Sequence, residues 1–114
     1  MTQDVVHKKE LSLNTFTHDK KQYDLTKVRL LTQSDPAFIL PIKSLLWVLK
    51  WDTPREERVL AAKLRYPLLV VKWQGKWCVV DGLHRLERYR RRGITTIPVK
   101  LVSDAILKKA LVKT

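Results

Sequence analysis

The stretch Asp81-Gly82-Leu83-His84-Arg85 decides the fold of this chain, because it joins an apolar, strand-like run to a helix-like run that stops at a glycine. Asp81 is a favoured N-cap residue, since its carboxylate accepts a hydrogen bond from a free amide of the first turn. Gly82 lets backbone or ligand approach closely, and the following amides form the positive end of the helix. A strand, a glycine turn, a helix N-terminus and an arginine in this order predict that the five residues bind phosphate.

A purely structural interpretation of the same turn carries equal weight. Asp81 would cap the helix, Gly82 would turn the chain, and Arg85 would form an i,i+4 ion pair with Asp81. The two interpretations differ in what Arg85→Ala would do. A phosphate ligand predicts lost binding with a nearly unchanged melting temperature, whereas a structural partner predicts unfolding with no separate effect on a ligand.

The sequence on either side of the turn carries a family resemblance. In chain order the motifs are PLLVV at 67–71, WCVV at 77–80, DGLHRLERYRRRG at 81–93 and IPVKLV at 97–102. They resemble the ParB/sulfiredoxin superfamily, in which a strand, a hairpin return strand, a G-x-H-R or G-E-R-R turn, a helix and a strand beginning near IPV follow one another. The resemblance covers roughly residues 38–102. It implies an α/β (α+β) fold with a small mixed sheet flanked by helices.

The resemblance also implies a ligand and a set of chemistries. The DGxHR spelling is similar to that of members that bind a nucleotide and transfer its phosphate, such as the free serine kinases. Other members are chromosome-partitioning proteins that bind CTP, nucleases and sulfiredoxins. The implied ligands are therefore ATP, ADP or CTP with Mg²⁺. A nuclease, a nucleotide-dependent kinase or phosphatase of a small molecule, and an NTPase remain open as activities, with Asp81, His84 and Arg85 as the catalytic candidates.

Sulfiredoxin chemistry is disfavoured by one departure from the family pattern. Leu83 occupies the position of the reactive cysteine of sulfiredoxins, directly before the His-Arg pair. The only cysteine of the chain, Cys78, lies upstream inside a predicted strand. We expect Cys78 to be buried and not catalytic, because nothing nearby is arranged to lower the pKa of its thiol.

Composition predicts one folded domain over residues 1–114, with 1–35 as an N-terminal extension of the region that carries the resemblance. A chain of 114 residues, 45% of them hydrophobic, can bury about two-thirds of its unfolded surface. A single cysteine excludes an internal disulfide and fits a reducing cytoplasm. The apolar runs fall short of the roughly 20 residues of a membrane span, so no membrane partner is expected. Three widely spaced histidines do not predict a zinc site.

The positive charge is concentrated in the part that carries the resemblance. Residues 1–35 hold six Lys or Arg and five Asp or Glu, whereas residues 36–114 hold seventeen and six, or +11 of the total +12. Nucleic acid is the usual partner of such a surface, and nucleotides are the next candidates. Arg88, Arg91 and Arg92 form a predicted ridge for nucleic-acid phosphates. A solvated helix end matched to the helix dipole, or a module that binds an acidic protein, are the alternatives.

Few carboxylates are available for metal chemistry. Only six acidic residues follow residue 35, among them Asp52, Glu56, Glu57 and Asp81. A two-metal nuclease site would therefore have few carboxylate ligands to draw on. The four tryptophans, at 47, 51, 73 and 77, are expected in the core or as a cross-strand pair of Trp73 with Trp77. A base-stacking platform beside the DGLHR turn is the functional alternative.

The remaining elements follow from periodicity and turn residues. Before residue 60 they are a hairpin over 11–24, a helix over 27–32 capped by Thr26, a strand over 37–42, a helix over 43–50 and a helix begun by a capping box at 53–56. After it they are a central buried strand from Pro67, a turn at 74–76, a helix ended by Gly93, a strand over 96–102 and a helix over 104–112 capped by Ser103.

Overall fold

The computed structural model describes residues 14–112, which form two compact units. One unit combines residues 14–34 with residues 102–112, and the other comprises residues 35–101. Residues 11–13, which begin the predicted hairpin, lie outside the described residues. No helix within residues 14–112 has the length and apolar character needed to cross a membrane.

The first unit opens with the predicted hairpin. Strands β1 (Thr15–His18) and β2 (Lys21–Asp24) pair antiparallel, with His18 opposite Lys21. The two turn residues both have positive φ, as a type I′ hairpin turn requires. Helix α1 (Leu25–Leu31) follows at once. Its N-cap is Asp24, whose carboxylate accepts from the Lys27 amide, so the prediction of Thr26 as the cap is wrong: the chain is already extended at Asp24, where β2 ends.

The second unit is built on a four-stranded mixed sheet, which confirms the predicted fold class. Its strands are β3 (Phe38–Pro41), β4 (Leu68–Trp73), β5 (Lys76–Asp81) and β6 (Thr96–Leu101) in the order β3-β6-β4-β5. Strand β6 runs antiparallel to β3 and parallel to β4, and β5 returns antiparallel to β4. The first four residues of β4 are buried, as the continuous apolar run predicted for a central strand.

Two predicted helix starts between β3 and β4 are corrected by the structure. The stretch 43–50 forms two 3₁₀ segments, Ile42–Ser44 and Leu46–Lys50, rather than one α-helix. Helix α2 (Glu56–Ala61) starts after Arg55, with no side-chain cap from Thr53. The carboxylate of Glu56 is engaged by Arg91 and therefore does not reach back to close a capping box.

Helix α3 (Leu83–Arg91) covers the sheet, and its C-terminal end is the predicted one. Gly93 has φ +71°, and its amide donates to the Arg90 carbonyl while the Ile94 amide donates to that of Tyr89, which is a Schellman motif. Tyr89, expected at the margin of the core, is buried, and its hydroxyl donates to the Leu64 carbonyl. The core of this unit consists of Ile42, Leu45, Leu68, Val70, Leu86, Tyr89, Ile97 and Val99.

The last element, α4 (Asp104–Ala110), belongs to the first unit. The Ser103 hydroxyl accepts from the Ile106 amide, so the predicted cap is confirmed. An isolated bridge between Leu111 and Tyr23, with a bond from the Val112 amide to the Gln22 carbonyl, ties the C-terminal residues to β2.

Candidate phosphate-binding site

The turn between β5 and α3 is shaped by Gly82. This residue, and not Asp81, is the N-cap of α3, and it adopts φ +115°, a conformation that side-chain-bearing residues rarely take. A Cβ atom at position 82 would lie 2.7 Å from Leu68 Cγ. No side-chain hydrogen bond caps the helix. The amides of its first turn have no acceptor within the helix and form its positive end.

Arg85 is held by the protein itself. Its Nη1 donates to the carbonyls of Tyr66, at 2.8 Å, and Pro67, at 3.0 Å, and its Nη2 lies 3.2 Å from Asp81 Oδ2. Only 13% of the Arg85 side chain is exposed. The geometry thus shows the structural pairing of Asp81 with Arg85, and it adds two carbonyl contacts that the sequence did not predict. Arg85 fastens the start of α3 to the segment that enters β4.

The charges of two basic side chains near the start of α2 reach the imidazole of His84. Burial lowers the pKa of the half-buried imidazole, and the positive charges of Arg58 and Arg55 lower it further; Asp52 and Glu57 act in the opposite direction and more weakly. We call His84, Arg55 and Arg58 the basic cluster. Both arginines are exposed, and neither forms an ion pair with another residue of the described range 14–112.

Sequence reasoning found His84 but missed Arg55 and Arg58. Their only signal was position: both lie at the start of a predicted helix, one turn apart, without an apolar role. Among residues 14–112, no three His, Cys, Asp or Glu side chains come together as a group that could hold a metal ion.

The predicted ridge of Arg88, Arg91 and Arg92 is not one open surface. Arg88 Nη1 donates to the carbonyls of Val59, at 3.1 Å, and Leu60, and thereby fastens α3 to the last turn of α2. Arg91 forms a two-bond contact with Glu56 at 2.9 and 2.7 Å. Arg92 is exposed and has no such contact with another described residue.

A buried carboxylate stands at the centre of this arginine network. Glu87 is 7% exposed and accepts two bonds from Arg90, both 2.7 Å, and one from Arg91 at 2.8 Å. Hydrogen bonds from Arg90 lower the pKa of Glu87 to about 2, with a further contribution from Arg91. The C-terminal half of α3 is therefore an ion-pair network that joins it to α2.

Cys78 and the tryptophans lie at the other end of β5. Cys78 was expected to be buried but is only partly buried, and this burial raises the pKa of its thiol, which favours the protonated form. The predicted pair of Trp73 with Trp77 is wrong, because the hairpin register places Trp77 opposite Lys72 and Trp73 opposite Lys76. The loop between the paired strands has one residue fewer than such a tryptophan pairing needs.

Proteins similar to this chain are found among solved structures. No protein-family model matches the sequence, and no curated protein matches it. Among solved structures, sulfiredoxin from Arabidopsis thaliana is similar, with 21% identity and a TM-score of 0.46 over 57% of this chain and 82% of that one. The C-terminally truncated chromosome-partitioning protein ParB from Caulobacter crescentus, complexed with CTP-γ-S, is also similar, with 25% identity and a TM-score of 0.46.

The match to ParB covers 64% of this chain, which spans 49% of that one. Both neighbours have the ParB/sulfiredoxin-like fold, which is the fold that the motifs of this chain resemble.

Proposed function

We propose that this protein binds the phosphate groups of a nucleotide or a nucleic acid at the N-terminus of α3, in a pathway of DNA or RNA metabolism within the cytoplasm. The observation that carries the proposal is the basic cluster. His84 lies at the positive end of α3, in the electrostatic field of Arg55 and Arg58. Positive charge whose field reaches a helix N-terminus stabilises a phosphate bound there.

The cluster supports anion binding because its charges repel one another without a ligand. The lowered pKa of His84 is the signature of partial burial combined with that repulsion. A phosphate placed between the amides of the first turn and the two guanidinium groups would remove the repulsion. Arg can offer a two-bond contact to phosphate oxygens, and the amides add contacts that need no side chain.

The five residues of the turn have different tasks in this proposal. Asp81 and Arg85 form an ion pair, and Arg85 also donates to the Tyr66 carbonyl just before β4. These contacts set the position of the turn. The first-turn amides that follow Gly82, including that of Leu83, face the ligand together with the His84 imidazole.

We propose binding rather than catalysis, because Asp81 is ion-paired with Arg85 and Glu56 with Arg91. Two carboxylates near His84, those of Asp52 and Glu57, act on its pKa and form no ion pair among the described residues. They are the groups that a nucleotide-bound Mg²⁺ would meet.

A longer anion would continue along the basic surface. The exposed Arg92, and the exposed part of Arg91, extend the positive field beyond the cluster, whereas Arg88 is engaged by backbone carbonyls. Contacts of this kind are made to phosphate and not to base edges. Binding of a nucleic acid through them should depend steeply on salt and little on sequence.

A thermal-shift titration tests the proposal with pyrophosphate, ATP and CTP, each with and without Mg²⁺. The double variant Arg55→Ala/Arg58→Ala should raise the dissociation constant at least about tenfold, which corresponds to about 1.4 kcal/mol. Its matched control is Lys108→Ala/Lys109→Ala, which removes the same charge from exposed positions of α4. Equal losses in both double variants, or no shift by any of the three ligands, would contradict the proposal.

The pH dependence gives a second readout of the same site. The pKa of His84 lies below its usual value in the free protein, and a bound phosphate would raise it. Affinity for pyrophosphate should therefore increase as the pH falls below about 6.5, the ordinary pKa of histidine, and His84→Gln should abolish that increase. A pH profile that His84→Gln leaves unchanged would exclude the imidazole from the site.

A further inference from the structure

Three of the four tryptophans surround one open depression at the tip of the β4–β5 hairpin. The depression has a volume of about 360 Å³ and is lined by Trp47, Trp51, Trp73, Gln74 and Lys76. Trp51 is 82% exposed and Trp73 36% exposed. We call these five residues the tryptophan depression. Single exposed apolar residues are common, but three indoles around one hollow form a continuous apolar patch of the kind that indicates a binding surface.

The depression is supported from below and therefore keeps its shape. Trp47 Nε1 donates to the Trp77 carbonyl at 2.9 Å, which fixes the position of one indole. Trp77 itself packs against Phe38, with ring centroids 5.8 Å apart, and belongs to the border of the core. Trp47 and Trp77 thus form a base, while the more exposed rings of Trp51 and Trp73 offer apolar surface to a ligand.

Charge decides which flat ligand the depression fits. The ammonium of Lys76 lies 5.3 Å from the Trp47 ring centre, and that of Lys72 lies 4.3 Å from the Trp77 ring centre. A cationic ligand, such as a methylated lysine, would meet these ammonium groups and be repelled. A flat ligand that carries negative charge can stack on the indole rings and pair with the lysine ammonium groups.

We infer that the tryptophan depression is a second binding site, which stacks the bases of single-stranded nucleic acid while Lys72 and Lys76 contact its phosphates. Indole faces accept any base without hydrogen-bond recognition, and each stacked base raises affinity about tenfold or more. A duplex hides its base faces inside the helix and would offer only its backbone. The depression therefore prefers single strands to duplexes of the same sequence.

This site is separate from the basic cluster and does not depend on it. Strand β5 runs from Lys76, at the depression, to Asp81, at the turn before α3. Six extended residues span roughly 17 Å at about 3.3 Å per residue. The indoles therefore lie too far from the DGLHR turn to stack a base that is bound there. The predicted platform beside that turn is replaced by one at the opposite end of the strand.

The test is the binding of a fluorescein-labelled oligothymidylate of about 15 nucleotides, a length within the site sizes of single-strand-binding folds, followed by anisotropy in low salt. Trp51→Ala and Trp73→Ala should each weaken binding about tenfold, as the loss of one stacked base predicts. Trp51→Phe should restore part of the affinity, because it keeps an aromatic face. Tyr66→Ala removes a ring outside the depression whose exposure, 52%, lies between those of Trp73 and Trp51, and it should leave binding unchanged.

Two further measurements separate stacking from charge and from the other site. Lys72→Gln/Lys76→Gln should lower the salt slope by about 0.7 for each phosphate that a lysine no longer neutralises. The tryptophan variants should keep the pyrophosphate affinity of the wild type, whatever that affinity is.

Three results would overturn the inference. The first is oligothymidylate binding that is equal in the wild type and in both Trp→Ala variants, because stacking would then contribute nothing. The second is a duplex whose binding falls in the Trp→Ala variants as much as that of the single strand, because a duplex offers no base faces to the indoles. The third is poly-glutamate that competes equally at the same charge concentration, since an acidic protein would then fit the surface as well as a nucleic acid does.

Discussion

Helix α3 and the tip of the β4–β5 hairpin are both basic, yet they use their side chains in opposite ways. All four arginines within α3 donate to acceptors of the protein: Arg85 and Arg88 to backbone carbonyls, and Arg90 and Arg91 to carboxylates. At the hairpin tip, Lys76 lies over an indole face. The density of charge in the sequence is therefore a poor guide to where charge is available to a ligand.

The reason for the contrast is what lies beside each side chain. Arg85 and Arg88 lie where the helix packs against the β4 entrance and α2, so their guanidinium groups must find acceptors there. Arg90 and Arg91 are more exposed, but both lie against the buried carboxylate of Glu87. The lysines of the hairpin are exposed, and their ammonium groups lie over indole rings and not on acceptors of the protein. Substitutions in α3 should accordingly cost stability, and those at the hairpin tip should affect binding alone.

Arg85→Ala should give the largest effect in this comparison. It removes two hydrogen bonds to the carbonyls of Tyr66 and Pro67 and leaves Asp81 without this ion-pair partner. We expect a loss of about 3 kcal/mol in the free energy of unfolding, because a partly buried carboxylate and two acceptors lose a charged donor. Urea unfolding measures it, with Arg92→Ala as the matched control. A melting temperature equal to that of the wild type would contradict this structural role and favour Arg85 as a residue that binds the ligand.

Glu87→Gln should give the second-largest loss in the free energy of unfolding, about 2 kcal/mol. It replaces the charge-assisted hydrogen bonds from Arg90 and Arg91 by weaker bonds to a neutral amide. The effect depends on pH. The pKa of Glu87 is about 2 in the folded protein and 4.5 ordinarily, so its stabilisation is complete above about 4.5 and disappears as the pH falls through about 2. Urea midpoints of wild type and variant should converge over that range. A difference that is undiminished at pH 2 would show that packing, not charge, is responsible.

Trp51→Ala should have the smallest effect on stability, within about 0.5 kcal/mol, because the side chain is largely exposed. The same preparation used for oligothymidylate binding supplies the unfolding measurement. A stability loss as large as that of Glu87→Gln would show that the Trp51 side chain packs against the rest of its unit and stabilises it. The expectation that side chains around the hairpin tip affect binding and not stability would then be wrong.

Local chemistry explains which elements could be predicted. The hairpin of β1 and β2, the end of α3 at Gly93 and the Ser103 cap of α4 depend on residues within a few positions of one another. The burial of β4 follows from an uninterrupted apolar run. Where a competing partner lay far away in sequence, the local rule failed, as it did at Glu56, which Arg91 engages across 35 residues.

In the candidate site too, residues with a local sequence signal could be predicted and their distant neighbours could not. His84 and Gly82 could be singled out because helix N-termini and glycine turns have sequence signals. The neighbours of His84 could not, because Arg55 and Arg58 lie at a different helix, far away along the chain.

The succession of strands, the glycine at position 82 and the excess of positive charge could all be read from the residues in their order along the chain. Which cations the protein engages, and which face solvent, could not. Ion pairs and hydrogen bonds between α2, α3 and the β4 entrance depend on how these elements pack, and their spacing along the chain does not reveal that packing.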